Sequence, residues 1–237
     1  MKRIIKISLI LLLVGMAVIA AVSFFKEKRA ERKYENEFKK IQESVTEKKS
    51  DVNGLVKKNK DCIGYVEIPG TTISYPVMQT KDNPDFYLNH DFNRNYSFYG
   101  TPYLSAYCDV NKSDNLIIYG HNINGGKMFG ALERYKDKEF FNKHRKIYFI
   151  TDKKREYEVF AVMSVNVYEF QYWESVMARN EEEYEEFVDK VAEKSLWKTG
   201  DKPRYGGQIL MLSTCDNGRG DDWRIVVIGR NIMSECV

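Results

Sequence analysis

The chain has 237 residues, 43% of them apolar and 14% aromatic, and a formal charge of +3. That apolar content is enough for a globular core and excludes a disordered or collagen-like chain. The charge is uneven: residues 26–60 carry twelve basic and seven acidic side chains, whereas residues 61–237 carry 22 and 27. The larger part is therefore mildly acidic and has no electrostatic footprint for nucleic acid.

Residues 7–25 form a run of nineteen without a charge, preceded by Lys2, Arg3 and Lys6. As a helix this run is about long enough to cross a ~30 Å hydrocarbon core. The expectation is a short tail over residues 1–6 and a transmembrane signal anchor over 7–25. A cleaved signal peptide competes, with Ala17, Ala20 and Ala21 as small residues, but the run exceeds a usual signal-peptide core. Lys26, Lys28, Arg29, Arg32 and Lys33 outnumber the basic residues before the run, so charge bias does not choose an orientation. Tyr34, Phe38, Ile41 and Val45 recur at helical spacing, which makes residues 26–60 a basic, membrane-proximal amphipathic segment. Anionic headgroups would attract it; a solvated tether is the other reading.

Residues 61–237 read as one domain built mainly of strands. Apolar runs occur at 63–68, 75–79, 101–104, 116–119 and 147–150, with a longer, partly alternating run at 157–170. One helix interrupts them. Asn180 stands at its N-cap with Glu183 three residues on, and Tyr184, Phe187, Val188 and Val191 form a stripe running toward Leu196 and Trp197. The acids between Glu181 and Glu186 complement the positive end of that helix. They are spread around its axis, whereas a calcium site gathers its oxygens around one ion. With no Cys/His spacing for zinc, no metal and no cofactor are expected. The fold expected is a single mixed, mainly β barrel with helical additions (α+β).

The chemistry concentrates at three places. An apolar strand ends in Leu212-Ser213-Thr214-Cys215, and nine residues on Arg224 opens a second strand. The hairpin would bring a thiol and a permanent cation together. A lone Cys is more often a small buried hydrophobe than a nucleophile, and a catalytic thiol needs a base or cation beside it. His121 supplies one, because it follows the strand Asn115-Leu116-Ile117-Ile118-Tyr119 as Cys215 follows its own. His90 reads as a structural histidine at a turn. His144, among Lys143, Arg145 and Lys146, reads as a surface residue. Cys62 and Cys108 read as buried thiols and Cys236 as part of a loose tail, although an even count outside the cytoplasm also invites a disulfide. Asp216, Asp221 and Asp222 are candidates to orient His121 or Arg224.

Tyr119-Gly120-His121-Asn122, then Leu212-Ser213-Thr214-Cys215, then Arg224 before Val226-Val227, resembles the sortases, specifically class B. Residues 63–71 resemble the first strand and turn of that barrel, residues 75–79 and 87–92 resemble the segment that follows it, and the likeness spans about residues 63–231. The resemblance implies a membrane-anchored cysteine transpeptidase on the outer face of a Gram-positive cell, with an external catalytic domain over 61–237. Cys215 would be the nucleophile, His121 the general acid and base, and Arg224 the donor to a substrate carbonyl. Ser213, Thr214 and Asn122 would support the substrate or oxyanion, and the helix before the nucleophile strand would wall the groove. The implied donor is a surface-protein sorting signal of Asn-Pro-x-Thr type or a Pro-x-Thr-Gly-like relative. The implied acceptor is a peptidoglycan amine. A thiol peptidase releasing product to water, a pilin-polymerising enzyme and a catalytically inactive surface-binding module are the alternatives.

Overall fold

The computed structural model describes residues 2–47 and 52–232; Cys236 lies outside the described residues. The chain divides into two compact units, Met1–Ser44 and Val45–Val237.

The first unit is carried by one helix, α1 (Lys2–Glu47). Its uncharged run is apolar on all sides, with Leu11, Ile19 and Phe25 each well over half exposed. Nineteen residues of helix span about 28 Å, and α1 is long and apolar enough to cross a membrane. Further along, Phe38 and Ile41 are buried while Lys39 and Lys40 are exposed, as helical spacing predicts. The side chains of Tyr34 and Val45, the other two stripe positions, lie outside the described residues.

The second unit begins with the short helix α2 (Val52–Lys58), which turns Val52 and Leu55 inward. The strands follow as β1 (Cys62–Glu67), β2 (Ser74–Met78), β3 (Tyr103–Leu104), β4 (Asn115–Tyr119), β5 (Asn122–Ile123) and β6 (Lys127–Met128). After helix α3 (Lys138–Lys143) come β7 (Lys146–Ile150) and β8 (Lys154–Asn166), then α4 (Glu181–Lys194), β9 (Ile209–Cys215) and β10 (Trp223–Asn231). Eight strands close into a barrel in the order β1-β2-β3-β4-β9-β10-β8-β7, and β5-β6 form a separate two-stranded sheet. Closure leaves the barrel itself without a free edge. The mainly β barrel with added helices is the fold class expected.

The contrast between unbroken and alternating apolar runs has a topological cause. β4 pairs with β9 in parallel, and both are buried on both faces except at their last residue; strands in that position read as continuous apolar stretches. β8 alternates at its two ends and is continuous in its middle, where it pairs with β10. Helix α4 starts where the capping signal places it: the Asn180 side chain accepts from the Glu183 N–H at 2.9 Å. The Glu183 carboxylate reaches back to the Arg179 N–H at 2.7 Å, one residue beyond Asn180. Tyr184, Phe187, Val188 and Val191 are buried and α4 packs on β8. Leu196, past the helix end, is exposed.

His144 corrects the sequence reading. It is only 8% exposed, its Nδ1 lies 2.9 Å from the Pro69 carbonyl, and its ring packs on Phe140. It stands as C-cap of α3, and the charges of its sequence neighbours point elsewhere. His90 is structural as expected: its Nδ1 lies 2.7 Å from the Phe86 carbonyl and its ring stacks on Phe86 at 3.9 Å.

Candidate active site

Cys215 ends β9, and in the antiparallel ladder with β10 its direct partner is Arg224. The nine-residue separation in sequence is thus a face-to-face pair in space. On the other side of β9, Tyr119 of β4 stands opposite Ser213, and the Gly120 N–H continues the ladder to the Ser213 carbonyl at 3.1 Å. His121 therefore leaves β4 beside the end of the nucleophile strand. Gly120 is required here, because a Cβ on it would lie 2.8 Å from the Phe129 ring.

Two further bonds lock this junction. Thr214 Oγ1 donates to the Gly120 carbonyl at 2.7 Å. Asn122 Nδ2 donates to the Cys215 carbonyl at 2.8 Å and to Glu133 at 2.9 Å. Ser213 Oγ shares a hydrogen with the Tyr172 hydroxyl at 2.7 Å. The side chains of Thr214 and Asn122 tie the two strand ends together, and Ser213 ties the nucleophile strand to Tyr172 of the β8–α4 connection. Only Ser213 and Thr214 of these three line the cleft.

The His121 imidazole is half-buried. Its Nε2 lies 2.8 Å from the Leu88 carbonyl, and its ring lies parallel and offset to that of Phe98, 6.4 Å away and within 9°. A carbonyl oxygen only accepts, so Nε2 carries a hydrogen in this arrangement. Leu88 ends a 3-10 turn (Phe86–Leu88) that Gly100 backs closely: at φ +59° it adopts a left-handed conformation, and a Cβ there would run into the Leu88 carbonyl.

Arg224 Nη1 donates to the backbone carbonyls of Asp221 at 2.6 Å and Trp223 at 2.9 Å. Its other guanidinium nitrogens have no hydrogen-bond partner among the described residues. Of the three aspartates considered as orienters, none presents its carboxylate to His121 or Arg224. Asp216 is fully buried and is bound at 2.6 Å by both Lys136 Nζ and Ser164 Oγ. Burial pushes its carboxyl up, but those two hydrogen bonds and the Lys136 charge outweigh burial and hold it below the ordinary carboxylate value. Lys136 also pairs with Glu133 at 2.6 Å. Glu133, which accepts from Asn122, ties this network to the strand ends.

His121, Cys215 and Arg224 line one cleft of about 700 Å³. Leu88, Tyr107, Val167, Tyr172 and Trp173 give it apolar walls. The sequence reading put helix α4 there; instead the connection between β8 and α4 supplies Val167, Tyr172 and Trp173, while α4 covers β8. The remaining described thiols, Cys62 and Cys108, do not line the cleft. Burial pushes Cys62 up to about 12 and raises Cys108 as well, and each is a free thiol bonded to a backbone carbonyl. Among the described residues no group of three or more His, Cys, Asp or Glu could hold a metal ion.

The Cys-Arg pair, a histidine just past the end of the neighbouring strand and the closed barrel coincide with a match of residues 66–232 to the sortase domain profile. The chain belongs to the sortase family. It is 29% identical to sortase B of Staphylococcus aureus over 98% of both chains. It is 32% identical to sortase B of Listeria monocytogenes over 78% of this chain and 75% of that one. The solved Staphylococcus aureus sortase B–substrate complex superimposes with a TM-score of 0.77 at 28% identity, covering 88% of this chain and 98% of that one. The class B resemblance read from the strand ends is thus shared by relatives along most of the chain.

Several residues of the site had no sequence signal. Leu88, Phe98, Tyr172 and Lys136 lie 33, 23, 41 and 80 positions from the residues they serve, His121, His121, Ser213 and Asp216. No local motif marks Phe98, Tyr172 or Lys136, and although Leu88 lies in the 87–92 segment, nothing there marks its carbonyl.

Proposed function

We propose that the chain is a cysteine transpeptidase that cuts a C-terminal sorting signal and hands the acyl half to a cell-wall amine. The observation that carries this reading is Cys215 facing Arg224 across a strand ladder, with His121 on the same cleft. The Cys215 thiolate attacks the scissile carbonyl carbon, and the electron pair moves to its oxygen. Arg224, with nitrogens left over after its two backbone bonds, donates to that oxygen or to a neighbouring substrate carbonyl. The tetrahedral species collapses to a thioester as the carbon–nitrogen bond breaks, and His121 gives the leaving amine its proton. An incoming amine then attacks, His121 takes its proton, and the thiolate departs. Thr214 and Asn122 hold the strand ends in place, and Ser213 fixes the nucleophile strand to Tyr172 of the cleft wall.

A peptide substrate is supported by the apolar cleft and by the Staphylococcus aureus relative solved with substrate. The exposed apolar stretch of α1 supports anchoring by residues 7–25. Residues 1–6 would then lie inside, and 61–237 outside facing the cell wall. The donor is an Asn-Pro-x-Thr-type or Pro-x-Thr-Gly-like signal, and the acceptor is peptidoglycan or its precursor.

The test uses the full chain in detergent micelles, with peptides of both signal types and with or without peptide amines. Mass spectrometry is expected to find an acyl adduct on Cys215, and an amine-containing product that grows with amine concentration. Cys215→Ala is expected to give neither. Product formed only with water would point to a hydrolase, and amide formation only with protein lysines to a polymerising enzyme. Acyl transfer by Cys215→Ala would overturn the assignment.

A further inference from the structure

β4 ends at Tyr119, and the chain then turns away: Asn122 pairs with Met128 in the β5–β6 sheet, and the His121 carbonyl accepts from the Phe129 N–H at 2.9 Å. Had β4 run on beside β9, the rung after Gly120 N–H to Ser213 carbonyl would join a backbone N–H at residue 122 to the Cys215 carbonyl. The side-chain amide of Asn122 takes that rung instead, at 2.8 Å. On the other side of β9, the Asp216 N–H donates to the Trp223 carbonyl at 2.9 Å. Cys215 and Arg224 are therefore the non-hydrogen-bonded pair of their ladder, and their backbone polar groups turn away from each other. The direction of the Cys215 carbonyl rests on the Asn122 amide.

That amide is itself held. An amide NH2 has two hydrogens, and the second goes from Asn122 Nδ2 to Glu133 Oε1 at 2.9 Å. The same oxygen accepts the Asn217 N–H at 3.2 Å, two residues beyond the nucleophile. The other oxygen, Oε2, pairs with Lys136 at 2.6 Å. One carboxylate thus serves the Cys215 carbonyl through Asn122 and the turn after Cys215 directly. Gly130 permits the approach: a Cβ there would run into the Ile123 carbonyl, so the 3-10 segment Gly130–Lys136 that carries Glu133 lies directly against β5. With both amide hydrogens used, and with no place in the cleft lining, Asn122 has none to give a substrate oxyanion.

We propose that Glu133 is a positioning residue for acyl transfer, acting through Asn122 on the peptide group of Cys215. This rests on the transpeptidase reading, because it takes the thiol to attack a scissile carbonyl. A carboxylate attracts an amide NH2 and repels an amide oxygen, so Glu133 keeps Nδ2 of Asn122, rather than Oδ1, toward the Cys215 carbonyl. A rotated amide would set two oxygens against each other. The Cys215 peptide plane would then turn, and with it the Cα–Cβ bond that aims the thiol. Misaimed attack slows the chemical step without weakening substrate binding.

The test measures single-turnover acylation of Cys215 by signal peptides, with the full chain in detergent micelles and mass spectrometry as the readout. The maximal rate constant and the half-saturating peptide concentration are obtained separately. A rate constant describes the molecules that react, so a misfolded fraction lowers the amplitude alone. Glu133→Ala is expected to lower the maximal rate about tenfold and to leave half-saturation within about twofold. Glu133→Met serves the same comparison if the alanine variant does not fold. Glu133→Gln, which keeps an acceptor oxygen for Asn122, is expected to recover most of the loss. Asn122→Ala should cost about as much as Glu133→Ala, and the double variant no more than either, as for two residues acting in series. Alkylation of Cys215 by iodoacetamide, which needs no aligned carbonyl, should keep its rate in Glu133→Ala. Losses that multiply in the double variant, a change confined to half-saturation, or alkylation that slows in step with acylation would each overturn the inference alone. So would a glutamine variant no faster than alanine, or an alanine variant that acylates normally. Failure of every peptide to acylate Cys215 of the intact chain would overturn the transpeptidase reading, and this inference with it.

Discussion

On the β9–β10 side of the cleft, geometry comes from a ladder that runs from Arg230 opposite Ile209 to Arg224 opposite Cys215. On the other side, His121 stands one residue past the β4–β9 ladder, and its ring is held by one carbonyl and one exposed aromatic neighbour. A ladder is cooperative, so neither Cys215 nor Arg224 shifts without disturbing several backbone bonds. A single hydrogen bond and a ring contact can be broken and remade during a reaction. That division suits the proposed chemistry, in which the nucleophile and the charge stabiliser are in place beforehand while the acid–base group exchanges protons between two amines.

The sharpest way to break the comparison is at Arg224. Arg224→Lys keeps the charge and the strand but loses the planar fork that serves two backbone carbonyls while leaving nitrogens for the cleft. A fall in kcat of about 10²-fold is expected, with the melting temperature little changed. Single-turnover acylation of Cys215, followed by mass spectrometry, is the measurement. Near-normal acylation by the lysine variant would mean that charge alone suffices and that strand-fixed direction does not matter.

Support beneath the rigid side gives the next effect, and it falls on stability. Lys136→Met leaves the Asp216 carboxylate buried with only Ser164 and backbone around it. A loss of about 1–2 kcal/mol is expected, below the ~3–5 kcal/mol of a fully buried pair because Lys136 is 34% exposed and partly screened, read by chemical denaturation. The pH dependence carries the sign. The folded carboxyl of Asp216 lies below its unfolded value of 3.8, so its stabilising contribution is present above about pH 4 and fades as pH falls through the folded value. In the variant burial dominates and raises that carboxyl. The deficit should therefore be largest near neutral pH, begin to shrink as pH falls through the variant's raised carboxyl value, and continue to shrink below about pH 4. A deficit constant across that range would assign the loss to packing of the Lys136 stem.

The same division explains what could be read from the sequence. The rigid side was legible because an apolar run fully buried in a barrel is continuous, and because the groups at its end, Cys215 and Arg224, are chemically conspicuous. His121 was legible by the same logic of a strand end. The supporting residues were not. Lys136 and Ser164 meet Asp216 from 80 and 52 positions away, and the backbone carbonyl of Leu88 has no residue-type signature at all. His144 misled for the opposite reason, since its charged neighbours along the chain are not its neighbours in space. The groove wall was assigned to the helix with the clearest pattern, α4, although that pattern encodes packing on β8 and the wall is made by the irregular segment before it.

The smallest effect tests the mobile side. Phe98 is 71% exposed, so little stability depends on it, yet its ring is parallel to that of His121. Exposed stacking of this kind contributes about 0.5–1 kcal/mol. Phe98→Ala should therefore lower kcat about two- to fivefold with little change in KM, because it loosens the ring that moves protons and leaves the walls of the cleft in place. Phe98→Tyr, which keeps the face of the ring, should restore the rate. Nitrogen-15 NMR of the His121 imidazole supplies a readout that a merely structural role would not move: the variant should broaden its resonances and weaken the preference for the hydrogen on Nε2. A change confined to KM would instead place Phe98 on the substrate. It would leave the Leu88 carbonyl as the single restraint on the His121 ring.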